Sequence, residues 1–285
     1  MVNEILGPEN WFLIFLGLVW IIGAVLQDLR RREVDNLWNF SLIPIAIIYR
    51  LLVYIFNGNY WFVLNGLIGL AIFFVLHNLF YYSRMFAGGD AKLLLALGII
   101  LPLSYNWIIN LKIFGIFILL FLAGGSIYSL IWAFCLMIKH WKHFKKEFVK
   151  QWKNYQKIFL FDLIFVILWV AFSFIISRVV FILIGMIVLL FPVLFIFAKS
   201  IEESCMVVEL SPDKVTEGDW LYEDIFVGGK KIKSNWEGVS TKELALIRNK
   251  CKKKILIKFG IPFTPAFLFG MIGLLYLAWS YGMFF

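Results

Sequence analysis

The chain has 285 residues, 62% of them hydrophobic and 16% charged, and its mean hydropathy is +0.88. A water-soluble domain of this length is nearer half apolar and a quarter charged, so the composition excludes an ordinary soluble enzyme, and the net charge of +9 must be read against a membrane before a nucleic acid. Cys135, Cys205 and Cys251 have no C-x-x-C spacing, which excludes a zinc ribbon and a disulfide framework.

Residues 1–8 carry no basic n-region and no small-residue cleavage site, so the first apolar run predicts a retained helix. Eight apolar runs follow, at 11–26, 38–56, 61–82, 91–104, 111–138, 158–177, 179–198 and 262–283. Most have the length of roughly 20 residues that a bilayer-crossing helix requires. The fourth is short and the fifth long, and Ser177-Arg178 is a polar break that reads as a hairpin turn or as the tip of a re-entrant span.

Lysine and arginine favour the cytoplasmic side of a membrane. With the N-terminus outside, Arg30–Arg32, Arg84, Lys92 and the segments 139–157 and 199–258 all fall inside, leaving out only Arg50, Lys112 and Arg178 of the 27 basic residues. The run KHWKHFKKEFVKQWKNYQK, residues 139–157, then reads as a cytoplasmic loop or an interfacial helix whose lysines reach anionic headgroups. Topology demands basic residues there, so no nucleic-acid partner is expected.

Residues 202–258 form the one long polar stretch. Met206–Leu210 and Asp224–Val227 alternate as strands do, Gly228-Gly229 signals a turn, and Ser240 or Thr241 with Glu243 signals a helix start. The expected fold is an all-α polytopic membrane protein of about eight helices with a small β-rich cytoplasmic insert. Its parts are a membrane domain over 1–200, an α+β insert over 201–258 and a final membrane helix over 259–285.

Asp28 closes the first apolar run, and Asp90 opens the fourth in Ala87-Gly88-Gly89-Asp90-Ala91-Lys92. The orientation fixed by positive charge puts both at one cytoplasmic membrane face. Two close carboxylates cannot both ionise cheaply, so they share a proton. The ionised member can then take a proton from water while the protonated one donates to a scissile carbonyl, with no metal or cofactor. Glycines 88 and 89 allow close approach of another backbone. The plainer reading of each acid is an interfacial cap or a partner for nearby arginines.

The residues from Gly88 to Lys92, with Asp28 and Arg32-Glu33-Val34-Asp35-Asn36 upstream, resemble the type IV prepilin peptidases and archaeal preflagellin peptidases, the GxGD membrane aspartyl proteases. Glu217–Asp224 and Ile257–Ala266 resemble the cytoplasmic segment and last-helix entry of the archaeal branch. The resemblance implies a six-helix core, with the pair of runs over 158–198 as an addition. It implies an endopeptidase that removes class III signal peptides from pilin- or flagellin-like precursors at the cytoplasmic face of the cell membrane, with Asp28 and Asp90 catalytic and Gly88, Gly89 and Lys92 in support. Ala87 departs from the first glycine of the motif without removing a catalytic group. Asp35 stands where the bacterial pattern has proline, and the cysteine-rich segment of the bacterial enzymes is absent, so no N-methylation is expected.

Other polar residues have plainer readings. Lys92 tunes an acid, binds an acidic substrate group or marks topology; Asp35 is a solvated loop residue and Asp162 an interfacial cap; His77 and Asn78 join helices; His140 and His143 have no metal-binding company. Trp11, Trp38, Trp61 and Trp107 fit an aromatic belt. The alternative function is an ion- or proton-coupled transporter that uses the aspartates as cation sites. It predicts acids near the midplane on discontinuous helices and a repeat between halves, and the sequence shows neither.

Overall fold

The structure is a computed structural model that describes residues 4–176 and 179–281; the break at Ser177-Arg178 lies outside the described residues. The chain is a mostly α-helical polytopic membrane protein with a small sheet region. Its helices are α1 (Pro8–Arg31), α2 (Asn36–Asn57), α3 (Trp61–Tyr82), α4 (Gly88–Leu97), α5 (Trp107–Lys139), α6 (Trp141–Ile176), α7 (Val179–Cys205), α8 (Thr241–Lys250) and α9 (Pro265–Tyr281). Six of these (α1, α2, α3, α5, α6 and α7) are long and apolar enough to cross a membrane. The chain divides into two units, residues 1–130 with 261–285, and residues 131–260.

In the first unit α4 is the central element. It packs against α1, α2 and α3, and α1 packs against α9. Leu93, Leu94, Ala96 and Leu97 of α4 are fully buried. The α1–α2 hairpin is locked by a tryptophan pair whose rings stack at 5.0 Å. The Trp20 indole N–H donates to the Trp38 carbonyl at 2.8 Å, and the Trp38 indole N–H donates back to the Trp20 carbonyl at 2.9 Å. Trp38 is therefore an interhelical lock, whereas a lipid belt was the sequence expectation.

The fourth apolar run does not form one spanning helix. α4 has ten residues, about 15 Å at 1.5 Å per residue, or half the hydrocarbon thickness. Irregular backbone at this depth is tolerated only when its polar groups find partners inside the protein. A ring of buried polar side chains supplies them. Arg50, 1% exposed, donates to the carbonyls of Ile99 (2.9 Å), Phe62 (2.6 Å) and Pro102 (2.8 Å). Asn65 and Asn110 donate to the Ser104 carbonyl at 3.0 and 2.8 Å, and Asn10 donates to that of Leu103 at 2.6 Å. Composition cannot distinguish such a segment from a helix, because its side chains are equally apolar.

In the second unit α6 and α7 pack together. No glycine or proline interrupts residues 141–176, so the basic segment expected as a separate loop or interfacial helix is continuous with the apolar run after it, in a 36-residue helix. Strand β1 (Val207–Leu210) and strand β2 (Trp220–Leu221) both pair antiparallel with β5 (Ile255–Lys258), while β3 (Ile225–Val227) and β4 (Lys230–Ile232) form a hairpin. The hairpin turns at Gly228 and Gly229, with φ of 58° and 79°, the left-handed backbone that a two-residue turn of this kind requires. Ser240 caps α8 in a reciprocal capping box with Glu243. Val215, Leu221, Val227, Ile232, Val239, Ile247, Ile255 and Ile257 make a separate small core.

Candidate active site

The two sequence-selected aspartates come from different elements at one end of the first unit. Asp28 lies in the last turn of α1. That helix ends at Arg32, whose backbone is left-handed (φ 57°) and whose N–H closes on the Asp28 carbonyl at 2.7 Å. Asp90 lies in the first turn of α4, on its third residue. Both are buried, 7% and 9% exposed. The two helices that carry them pack against each other.

Their surroundings differ. Asp28 Oδ2 accepts two hydrogen bonds from Thr264, from its backbone N–H at 3.1 Å and from its hydroxyl at 2.9 Å. Thr264 is fully buried and immediately precedes α9, whose first residue is Pro265. A carboxylate suits that place, because the free N–H groups of a helix start attract negative charge. The Asp90 side chain makes no hydrogen bond among the described residues. Its approach is fixed through the backbone instead: Asn39, fully buried on α2, donates to the Gly89 carbonyl at 3.2 Å.

Aromatic rings pack together beside Thr264. Phe263, next to Thr264, packs on Phe86 and Phe121 at 5.5 and 5.6 Å, and Phe121 packs on Phe267 at 4.4 Å.

The supporting residues separate into two groups. A methyl added to Gly88 would meet only Tyr81, at 3.8 Å, and one on Gly89 only Val34, at 3.7 Å. Both are ordinary contacts, so neighbouring helices do not demand glycine at either position. Lys92 donates to Asn36 Oδ1 at 2.6 Å and so ties α4 to the start of α2. Asp35 is half-exposed and paired with Arg31 at 2.8 Å, which accounts for it without chemistry. Asn36 belongs to the sequence motif, whereas the parts played by Asn39 and Thr264 emerge only from the structure. A threonine before the proline that starts the last helix, and an asparagine in the first turn of an apolar helix, were the available signals.

This fold and site define a polytopic membrane protein with two buried acids on separate helices, one in the last turn of α1 and one in the first turn of α4. Residues 14–141, which include both acids, match the type IV leader peptidase family. Over 133 residues it is 26% identical to a preflagellin peptidase of Methanococcus maripaludis, covering 44% of this chain and 57% of the relative. Over 112 residues it is 26% identical to a preflagellin peptidase of Methanocaldococcus jannaschii, covering 39% and 47%. The chain thus spans about half the length of the curated relatives it matches. No solved structure matches.

Proposed function

We propose that the protein is a membrane aspartyl endopeptidase that removes class III signal peptides from flagellin- or pilin-like precursors. The observation that carries this reading is the burial of both Asp28 and Asp90, on the packed helices α1 and α4, inside the segment that matches the leader peptidase family. The names of the two preflagellin peptidases direct the substrate class toward a flagellin-like precursor. The excess of basic residues in 139–157 and 199–258 supports placing the acid pair at the cytoplasmic face of the cell membrane, with the N-terminus outside.

In this mechanism a water molecule sits between the two carboxyl groups. The ionised member takes a proton from water as its oxygen attacks the peptide carbonyl, and the protonated member donates to the carbonyl oxygen. Collapse of the tetrahedral intermediate breaks the C–N bond: the departing amine takes up a proton from one carboxyl while a hydroxyl of the intermediate returns its proton to the other, which restores the singly protonated pair. Gly88 and Gly89 leave room beside Asp90 for the extended backbone of the substrate. The apolar helix of the precursor would lie in the bilayer, which sets its short leader at the level of the aspartates.

The transport alternative gains one observation, the interruption of α4. That interruption lies at the far end of the helix from Asp90 and is filled by Arg50, a cation already in place. It therefore offers the aspartates no ion, and the peptidase reading is preferred.

The test is to incubate membranes containing the protein with a flagellin-like and a pilin-like precursor and to sequence the N-terminus of each product. Cleavage just before the hydrophobic helix of either precursor supports the reading; no cleavage of either defeats it.

A further inference from the structure

The geometry points to Thr264 as a positioning residue that makes the two aspartates unequal, holding Asp28 as the fixed member of the pair. This inference rests on the peptidase reading. Thr264 places both of its donors on a single carboxylate oxygen, Oδ2 of Asp28, at 3.1 and 2.9 Å. That leaves Oδ1 as the oxygen of Asp28 that Thr264 does not engage. No hydrogen bond reaches the Asp90 side chain among the described residues, so the pair is braced on one side only.

Local sequence explains why Thr264 can deliver two donors. A residue before proline is driven out of the helical region into extended backbone, and Pro265 occupies the first position of α9, where proline is favoured. Thr264 is therefore held just outside the helix, with an N–H that no intrahelical acceptor claims. Its β-branched side chain has restricted χ1 freedom, which keeps the hydroxyl beside the N–H. Complete burial of Thr264 keeps water from competing for Asp28. Phe263, on its other side, is fixed between Phe86 and Phe121, so the clamp is anchored from the chain direction opposite to α9.

A general base must hold its oxygen within a few tenths of an ångström of productive geometry for the chemical step. Removing the hydroxyl should then slow the chemical step and leave substrate binding intact. The experiment compares wild-type enzyme with T264V, T264S and T264C in precursor cleavage, measuring kcat and KM separately and the thermal midpoint of each in detergent. T264V keeps shape and the N–H but loses the hydroxyl donor. Its kcat is expected to fall about 10- to 100-fold, the loss of one hydrogen bond to a charged group, with KM unchanged. T264S is expected to recover kcat to within about twofold, since it restores the same bond. A role confined to packing would give the reverse pattern, because valine conserves the threonine shape better than serine does.

Wild-type kcat in T264V, or a defect in T264S equal to that of T264V, overturns the inference and leaves the peptidase reading standing. If the wild type cleaves no precursor, both fall. If T264V does not fold, T264C decides. Its thiol is a weak donor, so an order of Thr and Ser well above Cys supports the clamp and equal rates in all three reject it.

Discussion

The side-chain amide of Asn39 donates to the carbonyl oxygen of Gly89 at 3.2 Å, one residue before Asp90. Asn39 is fully buried, so the bond joins the start of α2 to the start of α4 through a donor shielded from water. Replacement by leucine leaves the carbonyl without this donor, a cost of about 1–3 kcal/mol for a buried group, and loosens the backbone that aims Asp90. Asn39→Leu is expected to lower precursor cleavage by about tenfold or more while far-ultraviolet circular dichroism stays that of the wild type. Undiminished cleavage would show that the tether does not position Asp90.

Arg50 is expected to control folding more than chemistry. Its guanidinium satisfies carbonyls of Phe62, Ile99 and Pro102 around the end of α4. Arg50→Met strands three buried acceptors at roughly 1–3 kcal/mol each, enough to remove most of the stability of a typical domain. Arg50→Lys should recover only part, because a point-like ammonium cannot reproduce the planar fork. The check is the thermal midpoint in detergent, in the order Arg, Lys, Met; equal midpoints would refute the assignment.

Gly23 and Gly115 form a matched pair. A methyl on Gly23 would lie 2.1 Å from the Trp38 ring, whereas one on Gly115 meets nothing within 4 Å. The ring cannot simply move, because stacking and two reciprocal hydrogen bonds hold it. Gly23→Ala is expected to destabilise by about 1–3 kcal/mol through overpacking. Gly115→Ala is expected to stabilise by about 0.5–1 kcal/mol, the helix preference for alanine over glycine. The two thermal midpoints should therefore move in opposite directions.

In the second unit, pH acts on the β3–β4 hairpin. Hydrogen bonding by Lys231, at 2.7 Å, holds the Asp224 carboxyl below its ordinary range, and the Ser234 N–H, at 2.8 Å, adds to the effect. A carboxyl depressed in the folded state contributes stability that is complete above its unfolded value of about 3.9 and is lost as pH falls through the folded value. The Ser234 amide resonance should therefore move on acidification below about pH 4 and stay still in Asp224→Asn. Identical acid titration in both proteins would remove Asp224 from the account.

The helices and much of the insert were legible in the sequence because their signals are local. Apolar runs mark α1, α2, α3, α5 and α7, Gly228-Gly229 marks the hairpin, and Ser240 with Glu243 marks the start of α8. The early end of α4 was not legible, because what permits it comes from Arg50, Asn65 and Asn110, residues distant in the chain and individually unremarkable. Asp28 and Asp90 could be chosen as a pair from charge distribution and motif. The bond from Thr264 to Asp28 joins positions 236 residues apart, and no periodicity or spacing reports such a contact.

The central claim is that Asp28 and Asp90 act together on a precursor peptide bond. The most direct measurement is cleavage of a flagellin-like precursor by membranes carrying wild type, Asp28→Asn or Asp90→Asn at equal amounts of inserted protein. Asparagine conserves shape and removes the transferable proton, so each variant should lose about 10²- to 10⁴-fold in rate, and the double variant should lose little more than either alone. Cleavage near the wild-type rate by either single variant would contradict the account.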